Sequence, residues 1–286
     1  MPSTWEDPPE YRPDGPGVGM PQLALPRLTR ATRQLMIVNA AIFAVSFAIF
    51  LASKGTWFSI EKTLGIRPAA WTDSFPLVPI WQPLTYGFLH SVTDIFHLLM
   101  NMLTLYFFGT MLEEMIGTRR FVILYFAAQL VGALFFLVGG VLGLEAGVAI
   151  GASGAVYGVM VAMATLRPRQ RVLLLFIPVT LGFLALAFLV ITLFGAALEW
   201  KEGTGGGTAH LVHLGGIVYG FVAVKSRLIF ADPMAALARS KAAREVERRQ
   251  GDEARVDQIL EKINREGMSA LSRGEREFLK RVSTRR

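Results

Sequence analysis

A serine hydroxyl attacks a carbonyl only when a base takes its proton and donors await the oxyanion. The residue types for that chemistry are scarce in this chain of 286 residues, and they lie in apolar surroundings. Its four histidines, His90, His97, His210 and His213, all fall in or beside long hydrophobic stretches. Polar groups at membrane depth are costly and tend to be functional. Ser153 stands in the run Gly151-Ala152-Ser153-Gly154, and His97 and Asn101 are four apart, on one face of a helix. In this reading Ser153 is the nucleophile and His213 the base. Asn101 and His97, with the Ser153 N–H at a helix start, are oxyanion donors, each typically worth about 2.7–4 kcal/mol of barrier. With no cysteine in the chain, a thiol nucleophile, an iron–sulfur cluster and a thiolate zinc site are excluded. Hydrolysis by two side chains and water needs no cofactor. Two other readings compete. A serine among Gly and Ala is commonly a packing residue, and four histidines could form a metal site.

The elements that must bring these residues together follow from composition. The chain is 52% hydrophobic, only 18% charged, and has a mean hydropathy of +0.44. A soluble domain is about 25% charged, so the sequence reads as an all-α polytopic membrane protein. Spans of about 20 residues are expected near Leu35–Ala52, Ile95–Met115, Phe121–Leu142, Gly151–Leu166, Val179–Leu198 and Ala209–Ile229. Arginines cluster before span one (Arg27, Arg30, Arg33), between spans two and three (Arg119, Arg120) and between spans four and five (Arg167, Arg169, Arg171). Lys225 and Arg227 close span six. Six spans put all of these on one side, so both termini are expected on the cytoplasmic face. The net charge of +7 is thereby explained by topology rather than by nucleic acid. Ser153, His97 and Asn101, and His213 then lie near the outer ends of three different spans. Gly154 with Gly158, and Gly216 with Gly220, form small-xxx-small faces that let two spans approach closely. Gly151 leaves room for a substrate backbone beside the serine.

Three regions are expected. Residues 1–34, rich in Pro and Gly and lacking an apolar leader segment, read as a flexible cytoplasmic tail. Residues 35–229 carry the six spans, with a long loop from Ser53 to Asp94 whose Trp57, Trp71 and Trp81 suit an interface. Residues 230–286 turn abruptly to charged, soluble composition: a basic linker, then two helices around Val256, Ile259, Leu260 and Ile263 and around Leu271, Phe278, Leu279 and Val282. Gly267 separates them.

These residues resemble the rhomboid family of intramembrane serine proteases, of the bacterial six-span type. The resemblance rests on Gly151-Ala152-Ser153-Gly154 with Tyr157 four residues on, on His97 to Asn101, on Gly109 through Glu113 and Gly117, and on His213-x-x-Gly216-x-x-x-Gly220. The stretch WQPLTYGFLH, Trp81 to His90, is similar to the end of the family's long first loop. The resemblance implies a six-helix rhomboid-like bundle with a Ser153–His213 dyad and no third carboxylate. It also implies an oxyanion hole helped by His97 and Asn101, and Tyr157 packed on His213. Glu113 would hydrogen-bond to the first loop. Substrates would be single-pass membrane proteins cut near the outer boundary, the partners otherwise being membrane lipids and no nucleic acid. The membrane would be a bacterial inner membrane, and members of the superfamily that have lost the dyad bind clients without cutting them. Two departures stand out: Gln82 replaces the family's common arginine, removing a loop anchor, and His210 adds a second candidate base one turn before His213.

Overall fold

The computed structural model describes residues 27–144, 147–174, 177–202, 209–230 and 233–283. The tail expected over residues 1–34 lies outside the described residues up to residue 26. Its last part is helical, because α1 (Arg30–Ala52) begins five residues before the expected span. Two helices occupy the stretch that the sequence reads as a long loop: α2 (Lys54–Leu64), capped by Ser53, whose Oγ accepts from Thr56 N at 3.3 Å, and α3 (Pro68–Asp73). A short α4 (Gln82–Thr85) leads into the turn at Tyr86–Phe88.

Span two consists of α5 (Ile95–Thr104), a π-helical turn at Leu105–Gly109 and α6 (Thr110–Ile116). Asp94 caps α5 by accepting from Phe96 N at 3.1 Å. Helix α6 ends at Gly117, whose φ of 83° only glycine adopts without strain, and α7 (Thr118–Val141) turns straight back. Then come α8 (Ser153–Leu166), the antiparallel pair β1 (Arg171–Leu174) and β2 (Ile177–Thr180), α9 (Leu181–Glu202) and α10 (His210–Lys225). The hairpin pairs Arg171 with Thr180 and Leu174 with Ile177. It takes the first residues expected in span five, since Pro178 has no N–H for a helix and the β-branched Ile177, Val179 and Thr180 suit a strand.

The segments Arg30–Ala52, Ile95–Ile116, Thr118–Val141 and Leu181–Leu198 are each long and apolar enough to cross a membrane, while α8 and α10 are shorter apolar helices of 14 and 16 residues. Both short helices lie inside the bundle. Nearly all of α8 is buried, and α10 packs against both α7 and α8. The protein is therefore a helical membrane bundle, with a small hairpin as its only strands among the described residues. Its outward faces carry exposed residues such as Ile37, Val45, Phe183, Val190 and Phe194, as a lipid-facing surface does.

Two polar contacts and one apolar cluster correct three expectations about what secures the bundle. Glu113 does not reach the long loop. It accepts from Ala31 N and Thr32 N (both 2.9 Å), Thr29 Oγ1 (2.5 Å) and Thr118 Oγ1 (2.7 Å). A carboxylate on α6 thus caps the N-terminus of α1, whose own Thr29 makes no side-chain cap and whose first N–H groups have no helical partner. Gln82 is not a lost anchor: only 2% exposed, its Oε1 accepts from Arg67 N and from Trp71 Nε1, both at 3.2 Å. Trp57 is buried with Leu89 and Val92 rather than interfacial, whereas Trp81 is exposed.

Beyond the bundle, α11 (Pro233–Glu266) ends at Gly267, with φ of 81°, and α12 (Arg273–Ser283) folds back so that Ile259, Leu271 and Phe278 are buried together.

Candidate active site

The glycine faces decide the geometry. A Cβ on Gly216 would overlap the Gly154 carbonyl oxygen and lie 2.9 Å from its carbon, and one on Gly220 would lie 3.0 Å from the carbonyl carbon of Gly158. Helices α8 and α10 therefore touch backbone to backbone, as the small-xxx-small spacing predicts. Ser153 opens α8, and His213 lies one turn into α10, three residues before Gly216. The close approach brings His213 Nε2 to 2.7 Å from Ser153 Oγ.

Among the described residues no carboxylate hydrogen-bonds to His213. Its ring instead stacks on Tyr157, with centroids 4.5 Å apart and planes 1° from parallel, and Tyr157 meets Phe188 of α9 edge-on at 5.3 Å. A stacked ring fixes the imidazole plane and leaves its edge free for the serine. His210 lies elsewhere: its ring is edge-on to His213 at 6.2 Å and fills the space over Gly195 of α9, where a Cβ would come within 2.5 Å of Nε2. The second candidate base is thus a packing residue between α9 and α10, and Ser153 hydrogen-bonds to His213.

On the other side of Ser153 stands the N-terminal part of α5. Asn101 is buried and donates through Nδ2 to the His97 carbonyl at 2.8 Å, leaving a second N–H. The His97 ring faces Gly151, where a Cβ would sit 2.5 Å from Nε2, and Gly151 has φ of 121°. Glycine is required there twice, by the backbone angle and by the ring. Ser91 N donates to His97 Nδ1 at 3.4 Å, so the neutral ring carries its proton on Nε2, the nitrogen nearest Gly151. Ser153 N belongs to the first turn of α8, whose N–H groups have no intrahelical acceptor. These groups line one cavity of about 540 Å³ that contains Ser153, His213, His97 and Asn101 together with apolar residues such as Phe136 and Met100.

Supporting contacts that the sequence reading missed come from Tyr86 and Gln129. The Tyr86 carbonyl accepts from Gly151 N at 2.9 Å, and its hydroxyl donates to Gln129 O at 2.7 Å. Gln129 Nε2 donates back to Leu84 O at 2.7 Å. These bonds pin the serine's approach loop and the end of the long loop to α7. The only signal for them was a polar residue, Gln129, within an otherwise apolar span. His90 is completely buried with its ring 5.1 Å from that of His97, outside the cavity lining. Among the described residues no group of three or more His, Asp or Glu is arranged to hold a metal, so the four histidines do not converge on one ion.

Comparison with known proteins gives two matched segments. The rhomboid domain model matches residues 79–228, and a family of unknown function, DUF6576, matches residues 244–285. Rhomboid protein 1, mitochondrial, of Saccharomyces cerevisiae is 37% identical over 139 residues, covering 47% of this chain and 38% of the relative. The presenilin-associated rhomboid-like protein, mitochondrial, of Rattus norvegicus is 32% identical over 130 residues, covering 44% and 33%. Rhomboid-like protease 3 of Toxoplasma gondii is 33% identical over 104 residues, covering 36% and 37%. The chain thus spans between 33% and 38% of the length of these curated relatives, which are eukaryotic. Since the matched segment takes in more than half of the chain, and within it every residue of the constellation from His97 to Gly220, the chain belongs to the rhomboid family.

Proposed function

We propose that the protein is an intramembrane serine endopeptidase that hydrolyses peptide bonds of single-pass membrane proteins near the outer membrane boundary. The observation that carries this reading is the 2.7 Å contact between Ser153 Oγ and His213 Nε2 across 60 positions of chain, in the lining of a cavity inside an apolar bundle. As Oγ bonds to the scissile carbonyl carbon, its proton passes to His213 Nε2. The oxyanion receives the Ser153 N–H, the second Asn101 Nδ2 hydrogen and the His97 Nε2 hydrogen. Collapse breaks the C–N bond while His213 protonates the leaving amine. Water, deprotonated by His213, then attacks the acyl ester and Ser153 regains its proton. Tyr157 positions the base, and Gly151, Gly154, Gly216 and Gly220 allow the approach. Substrate helices with small or helix-breaking residues unwind most easily into the cavity.

In this reading α8 and α10, about 21 and 24 Å long at 1.5 Å per residue, complete six spans and place both termini on the arginine-rich inner side. The C-terminal pair α11–α12 forms a separate soluble unit there. The membrane is a bacterial inner membrane or, as the names of two relatives indicate for those proteins, a mitochondrial one. The test is a fluorophosphonate probe on detergent-purified protein. Labelling lost in Ser153→Ala and His213→Ala but kept in His210→Ala supports the assignment. An unlabelled, folded wild type that still binds membrane-protein clients would instead make it a client-binding protein.

A further inference from the structure

Among the described residues, those lining the cavity that holds Ser153 are apolar residues, neutral polar groups and histidines, with one exception: Asp94 stands in its wall. Asp94 is exposed and is the first residue outside α5, three positions before His97. Helix α5 runs from the outer side inward, so Asp94 lies about 4.5 Å further out along the axis than His97, at 1.5 Å per residue. One carboxylate oxygen accepts from Phe96 N. Among the described residues no salt bridge neutralises Asp94, so an exposed negative charge is left in the wall of the cavity that a substrate backbone must enter.

From this placement, and resting on the protease reading above, we infer that Asp94 is a specificity-determining residue selecting substrates with a lysine or arginine on the outer flank of the scissile bond. The cap alone does not need a carboxylate. Asn and Ser cap as well as Asp, so the negative charge is surplus to the structural role. A cation in that place also discriminates well, because short outer segments of membrane proteins are generally poor in Lys and Arg. A basic outer flank therefore marks few proteins, and an aspartate at the rim reads it. An acidic flank meets repulsion at the same point.

The test is cleavage of a single-pass reporter in liposomes of neutral phosphatidylcholine, with Lys or Glu placed in turn at each of the first few positions outside the cut. At low salt the wild type is expected to cleave the best Lys reporter about two- to fivefold faster in kcat/KM than the matching Glu reporter, as for an exposed ion pair. Asp94→Asn, which keeps the capping oxygen, should bring that ratio close to one, and Asp94→Lys should invert it. The wild-type ratio should shrink in high salt. Unchanged charge preference in Asp94→Asn, or no preference at any position in an active wild type, overturns the inference and leaves the protease reading standing. No cleavage of any reporter, or equal cleavage by Ser153→Ala, would remove both.

Discussion

The backbone contact between α8 and α10 makes Gly216→Ala a demanding test of the proposed dyad. A Cβ at position 216 would overlap the Gly154 carbonyl oxygen and lie 2.9 Å from its carbon, whereas carbon atoms prefer about 3.5–4.0 Å. The helices must therefore part by about 1 Å at this point. His213 is only three residues from Gly216, and Ser153 adjoins Gly154, so little structure intervenes to absorb the movement. Passed on in full, it stretches the Oγ–Nε2 distance from 2.7 Å beyond hydrogen-bonding range. Misplacement by about 1 Å costs on the order of 10²-fold in rate, while overpacking costs about 1–3 kcal/mol of stability. The assay is the second-order rate of fluorophosphonate labelling, with thermal unfolding in the same detergent as the check on folding. The expected outcome is a labelling rate lower by about 10²-fold in protein that still unfolds cooperatively. Gly55→Ala and Gly274→Ala, where nothing lies within 4 Å of the added carbon, should label like wild type. A folded Gly216→Ala protein that labels at the wild-type rate would refute the argument that this contact sets the dyad distance.

Other perturbations follow from the same geometry. Tyr157→Phe keeps the ring stacked on His213 and should retain labelling within about threefold. Tyr157→Leu removes a contact worth about 0.5–1.5 kcal/mol and should slow labelling by up to about tenfold; equal rates would end the positioning role. Glu113→Ala leaves the first N–H groups of α1 without their carboxylate, and hydrogen bonds to charged groups contribute about 1.5–3 kcal/mol each. It should lower the unfolding temperature and open the start of α1 to protease, and a variant as stable as wild type would show that the cap is dispensable. In the C-terminal hairpin the Ser272 N–H and hydroxyl and the Lys262 ammonium hold the Glu275 carboxyl below the usual carboxylate range. A depressed folded-state value means that its stabilisation is present above the unfolded value of about 4.3 and lost as pH falls through the folded value. Amide exchange in α12 of the full protein, corrected for intrinsic rates, should therefore quicken below about pH 4, and Glu275→Gln should remove that step.

Much of this was legible because it depends on local period and residue type. Helical spacing put Asn101 beside His97, glycines four apart marked the contact faces of α8 and α10, and Gly267 ended α11 where its φ of 81° demanded glycine. The misreadings have a common cause. Sequence allows Glu113 a helix-end or a loop-anchoring role, the family resemblance points to the loop, and the same resemblance makes Gln82 a lost anchor; neither partner is legible, because a polar side chain's partner lies wherever another segment brings a donor. The long loop looked unstructured because its helices are short, and short helices depend on packing rather than propensity. Trp57 was assigned to an interface by composition, but Leu89 and Val92 bury it.

By itself the sequence determined the membrane class, the apolar helices near their present positions and the small set of polar residues proposed to carry the chemistry, since hydropathy, period and functional-group chemistry are properties of residues and their neighbours. The glycines in register with His213 favoured it over His210 in the sequence, but only the tertiary structure gave the 2.7 Å contact of Ser153 with His213, the capping of α1 by Glu113 and the place of Asp94 in the cavity wall. Each of those facts is a distance between segments far apart in the chain, set by how closely backbones without a Cβ can approach.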